Sequence, residues 1–80
     1  MKEHYDIDGK KLEKNHIYES KRSGELYCFL GNYSKYGEAQ FESINRERVD
    51  IGEESSSLFK KLSRREIEKK IKWLEKGLED

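Results

Sequence analysis

Eighty residues, of which 32% are apolar and 42% charged, suffice for one small domain with a lean core. No run approaches the roughly 18–20 apolar residues of a membrane span, and a single cysteine excludes an internal disulfide. Seventeen basic and 17 acidic side chains cancel, and they balance in each half of the chain, seven of each sign in residues 1–40 and ten of each in 41–80. Any electrostatic function therefore rests on local segregation of charge.

The chain begins without an apolar leader, and His4-Tyr5-Asp6-Ile7 alternates polar with apolar residues before Asp8-Gly9, the pattern of a hairpin or turn entry. That alternation places His4, Asp6 and Asp8 together on a solvated face. The spacing also invites comparison with a calcium loop, but the position six residues past Gly9 holds Asn15 where a bidentate Glu is needed. Asn15–Ser20 reads as a strand ending in a turn at Arg22-Ser23-Gly24. Glu25–Leu30 is the strongest strand, apolar on both faces, and the expected arrangement sends Leu26, Cys28 and Leu30 to the core and Tyr27 and Phe29 outward or beneath a helix.

Gly31–Gly37 reads as a glycine-bounded loop carrying Tyr33 and Tyr36. Glu38–Ile44 is the next strand, with Ala39 and Phe41 on one side and Gln40, Glu42 and Ile44 on the other. A tight turn at Asn45-Arg46-Glu47 leads to Arg48–Ile51, whose Val49 and Ile51 face inward. Gly52–Ser57 has loop chemistry, and Leu58–Leu62 reads as a last short strand.

Ser63-Arg64-Arg65-Glu66 is a capping box, in which the Ser63 hydroxyl and the Glu66 carboxylate each accept the other residue's backbone N–H. Behind it, Ile67, Ile71, Leu74 and Leu78 fall within about 60° of arc, an apolar stripe for one packing surface. The predicted object is one domain over 1–80, mainly β, with about five strands across 4–62 and an amphipathic helix over 63–78 packed on them. In strand rhythm over residues 7–62 it resembles SH3-like barrels or a strongly bent antiparallel sheet. An OB-type barrel competes, but it wants a helix between strands three and four.

The sequence argues for binding over catalysis. His4 and His16 stand in no dyad, and Cys28, between Tyr27 and Phe29, has no basic neighbour to lower its pKa. There is no GxxxxGK[ST], GxGxxG, CxxC pair or HExxH, so no metal and no cofactor is implied. Two constellations remain. Tyr33 and Tyr36 on their glycine-flanked loop, with Trp73 off the helix's apolar stripe, are candidate hot spots for a protein partner. Alternatively Arg65, Lys69, Lys72 and Lys76 form a basic strip beside Trp73, within residues 60–76 that hold eight basic and three acidic side chains, suited to nucleic acid. The expectation is a small non-catalytic protein-interaction module, an adaptor or inhibitor of a cytoplasmic partner such as phages and mobile elements encode. A nucleic-acid-binding module is the alternative.

Overall fold

The computed structural model describes residues 3–70. Five antiparallel strands, β1 (Ile17–Ser20), β2 (Leu26–Tyr33), β3 (Ala39–Ser43), β4 (Arg48–Ile51) and β5 (Phe59–Lys61), form one sheet in the order β4-β3-β2-β1-β5. β4 and β5 do not pair, so the sheet is open. A short helix, α1 (Glu53–Ser56), precedes β5, and residues 64–70 are helical and are labelled α2.

The turns follow from residues that tolerate left-handed backbone. Gly24 (φ 76) closes β1 onto β2 by donating to the Ser20 carbonyl at 2.7 Å. Arg46 (φ 64) closes β3 onto β4, where the Ser43 N–H donates to the Glu47 carbonyl at 2.8 Å. Gly31, expected in a loop, lies inside β2 at an irregularity in its pairing with β3. Its φ of 87 and the Lys14 side chain, whose Cγ would stand 2.7 Å from an added Cβ, leave room for glycine alone.

The interior is aromatic. Tyr18, Phe29, Phe41 and Phe59 are buried with Leu12 and Ala39, and Tyr27, Tyr33, Val49 and Ile51 pack against them. The Phe41 ring meets Phe59 at 5.1 Å, Phe29 at 5.2 Å and Tyr18 at 6.0 Å, contacts worth about 0.5–1.5 kcal/mol each beyond area burial. So a chain with few aliphatic residues fills its core with rings.

This packing inverts the face expected for β2: Tyr27 and Phe29 point to the core, and Leu26 and Cys28 sit half-buried on the outer face. Register decides it. β2 taken alone is apolar on both sides, but it places Phe29 opposite Phe41 and Tyr27 opposite Tyr18. β3 has only one apolar face, Ala39 and Phe41, and because side chains alternate strictly, that face dictates the orientation of its neighbour.

The N-terminal segment is inverted as well. His4 and Asp6 are buried at 4% exposure, while Tyr5 and Ile7 lie at 48% and 45%. The segment forms a single bridge, Tyr5 to Lys11, around a turn held by the Asp6 carboxylate, whose Oδ1 accepts the N–H of Asp8 at 2.9 Å and of Lys10 at 3.0 Å. A carboxylate that closes its own turn is drawn under it, and the alternating apolar residues then face water. Residues expected as loop at 53–56 form α1, whose fully buried Ser56 donates from Oγ to the carbonyls of Glu53 (2.9 Å) and Tyr5 (3.3 Å), tying this helix to the N-terminal segment.

α2 opens as its sequence predicts. The Glu66 N–H donates to Ser63 Oγ and the Ser63 N–H to Glu66 Oε1, both at 3.2 Å, and Ile67 N–H reaches the Ser63 carbonyl at 3.0 Å. The stripe residues Ile71, Leu74 and Leu78 lie outside the described residues.

Candidate interaction surface

The tip of the β2–β3 hairpin presents the most exposed large hydrophobic side chain among the described residues. Ser34 builds it: its N–H donates to the Glu38 carbonyl at 2.8 Å, and its hydroxyl accepts the N–H of Tyr36 (3.3 Å) and Glu38 (3.2 Å). Gly37, at φ 80, donates back to the Ser34 carbonyl at 2.9 Å. A turn closed by four hydrogen bonds holds Tyr36 at 78% exposure, with the Lys35 ammonium 5.1 Å from its ring centroid.

Tyr33, three residues earlier, is placed differently. Its ring packs edge-on against Phe29 (5.8 Å) and His4 (5.1 Å), and its hydroxyl accepts the His4 backbone N–H at 3.0 Å. It ties the N-terminal segment to β2 and offers a partner little free surface. Trp73 lies outside the described residues, as do Lys72 and Lys76.

Of the basic strip, Arg65 and Lys69 are described; both are exposed and, among the described residues, without an ion pair. Their basic neighbours are largely neutralised. Lys60 pairs with Glu66 (3.3 Å), Arg64 with Glu68 (3.5 Å), Lys61 with Glu13 and Lys70 with Glu19. These partners include acidic residues of other segments, which a count along residues 60–76 does not see. The Lys70 hydrogen bond holds the Glu19 carboxyl below the usual glutamate range, with the nearby Lys21 acting in the same sense.

α2 starts beside the outer face of the sheet. There Ile67, Ile17, Leu26, Cys28, Ile44 and Arg46 line a groove of about 250 Å³, and Ile44 at its rim is 58% exposed. The groove and the hairpin tip sit at opposite ends of β2. Cys28 and Tyr33 are five residues apart, about 17 Å along a strand. Tyr36 and the helix strip are therefore two separate surfaces.

The groups with catalytic potential are dispersed. Burial, and secondarily Glu42, push the Cys28 thiol up, the opposite of what a nucleophilic cysteine needs. His16 is exposed, its Nδ1 3.1 Å from the Lys14 carbonyl. His4 is buried beneath Tyr33, and its Nδ1 meets no hydrogen-bond partner. Among the described residues no group of three or more His, Cys, Asp or Glu side chains is placed to hold a metal, and no helix is long and apolar enough to cross a membrane. Strand alternation placed His4 and Asp6 on a solvated face, where the structure buries both; the signal for Asp6 was its place two residues before Asp8-Gly9, where a carboxylate can close a turn. Compared with known proteins, the chain matches no family model, no curated protein and no solved structure.

Proposed function

We propose that the protein is a small non-catalytic protein-interaction module, an adaptor or inhibitor of a cytoplasmic partner of the kind phages and mobile elements encode. Its scaffold is read as a small SH3-like barrel or strongly bent antiparallel sheet. Five short antiparallel strands, with β5 returning to pair with β1, support that reading over an OB-type barrel, since β3 and β4 are joined by a tight turn and no helix. The function rests on one observation: Tyr36 is a large aromatic side chain held out of the core on a hairpin tip braced by Ser34 and Gly37. A hairpin tip whose backbone is already ordered loses little further backbone freedom when its aromatic side chain is bound, which favours a hot spot there. Tyr33, half-buried against His4 and Phe29, and Trp73, on its sequence position, complete the proposed site.

The paired test compares the wild-type chain with Tyr36→Ala, by capture from the native host's extract and by thermal midpoint. The proposal expects loss of the captured protein with an unchanged midpoint. A truncated hot spot costs on the order of 2 kcal/mol, roughly thirtyfold in affinity. Capture unchanged by Tyr36→Ala overturns this site. The nucleic-acid alternative is the strip Arg65, Lys69, Lys72 and Lys76, and its mark is a captured nucleic acid whose binding weakens steeply with salt and falls in Arg65→Ala and Lys69→Ala.

A further inference from the structure

The two edges of the sheet are finished differently. On β5, the hydrogen bonds from Leu62 N–H to the Ile17 carbonyl and from Lys21 N–H to the Leu58 carbonyl, both 2.9 Å, set which residues face β1. Phe59 then turns its carbonyl outward, and the N-terminal segment covers it, since Ile7 N–H donates to that oxygen at 2.9 Å. Among the described residues β4 has no such cover. Because Ser43 and Glu47 form a hydrogen-bonded pair, strict alternation makes Phe41 with Val49 and Ala39 with Ile51 the next ones. Arg48 and Asp50 lie opposite Glu42 and Gln40 at the intervening positions, with their backbone N–H and C=O groups directed away from β3. Both side chains are exposed, and neither makes an ion pair among the described residues.

We infer that this edge pairs with the same edge of a second copy, antiparallel, about a two-fold axis through Val49. The hydrogen-bond parity permits it. In that register Arg48 faces Asp50 of the second copy and Asp50 faces its Arg48, and these are the residues whose backbone groups point outward, so each of the two pairs exchanges two hydrogen bonds. Val49 meets its own counterpart at the axis as a non-hydrogen-bonded pair.

The charges select the register. Across the outer face the row reads Glu42, Arg48, then Asp50 and Gln40 of the second copy, which sets each guanidinium between two carboxylates. A slip to the adjacent permitted registers opposes Arg48 to Arg48, or Asp50 to Asp50. An odd slip sets outward backbone groups against inward ones and forms no ladder. Opposite charges on an edge strand also repel most foreign strands; here they are ordered so that the strand complements itself. The edge is only four residues long, so the association is weak and belongs to high protein concentration.

Sedimentation equilibrium of the full chain, up to on the order of 1 mM, is expected to show a monomer–dimer equilibrium. Arg48→Glu and Asp50→Arg each place like charges in register and weaken it at least tenfold. Mixed in equal amounts they associate again, because each acidic edge then faces a basic one. Asp50→Pro removes an N–H that only the second copy uses, so it yields a monomer whose thermal midpoint matches the wild type. On the wild-type chain, amide exchange at Arg48 and Asp50 slows as concentration rises, a measurement that needs no variant to fold. A chain that stays monomeric throughout, amides whose exchange ignores concentration, or charge variants that fail to re-associate on mixing each overturn the inference.

Discussion

The hydroxyl of Tyr33 accepts the backbone N–H of His4 at 3.0 Å across 29 residues, and the two rings meet edge to face at 5.1 Å. This contact fastens the N-terminal segment to the end of β2, and it does so from a residue whose loop-like surroundings suggest a surface role. Tyr33→Phe keeps the ring and removes only the acceptor. It is expected to lower stability by about 1 kcal/mol, and Tyr33→Ala, which also removes the ring from Phe29 and His4, by about 3 kcal/mol. Urea midpoints measure both. Equal stability of all three chains shows that the hydroxyl and the ring hold nothing.

Acid should weaken the fold through its paired glutamates. Glu19 is held below the usual glutamate range chiefly by its hydrogen bond with Lys70, Glu13 by that with Lys61, and Glu66 by the backbone N–H of Ser63 and then Lys60. A carboxylate depressed in the folded state contributes stability that is present above its unfolded value, about 4.3 for glutamate, and is lost as pH falls through the lower folded value. The thermal midpoint should therefore fall as pH drops below about 4. Glu19→Gln should make that fall shallower while lowering the midpoint at neutral pH. An identical acid profile in Glu19→Gln removes Glu19 from this account.

Cys28 should react slowly in the native chain. It sits half-buried on the outer face of β2, opposite Glu42, and both burial and that carboxylate favour the protonated thiol, burial the more. Labelling by a thiol reagent is expected to be slower in native buffer than in denaturant and to quicken as pH rises. Glu42→Gln should quicken it at fixed pH. Equal rates in native buffer and denaturant contradict the protection described.

Strand positions, the glycine turn at Gly24 and the helix start at Ser63 were legible in the chain because their causes are local. Alternation, a residue that tolerates positive φ and a reciprocal pair of hydrogen bonds three residues apart all act within one or two turns of backbone. The inward face of β3 was legible for a similar reason: Ala39 and Phe41 share one side, and Gln40 and Glu42 the other. The face of β2 was not. Leu26 and Cys28 compete there with Tyr27 and Phe29 on equal terms, and only pairing with β3 breaks the tie, through a register set between different strands. The same holds at the surface. Two glycines around Tyr33 and Tyr36 announced a turn, but which tyrosine faces water depended on His4, 29 residues away from Tyr33, packing against it. The basic residues near α2 counted as an excess along the chain, yet Glu13 and Glu19 reach Lys61 and Lys70 only after β1 and β5 have paired. Local chemistry set the elements and their caps; contacts distant in sequence chose the faces, because a side chain's exposure belongs to what folds against it.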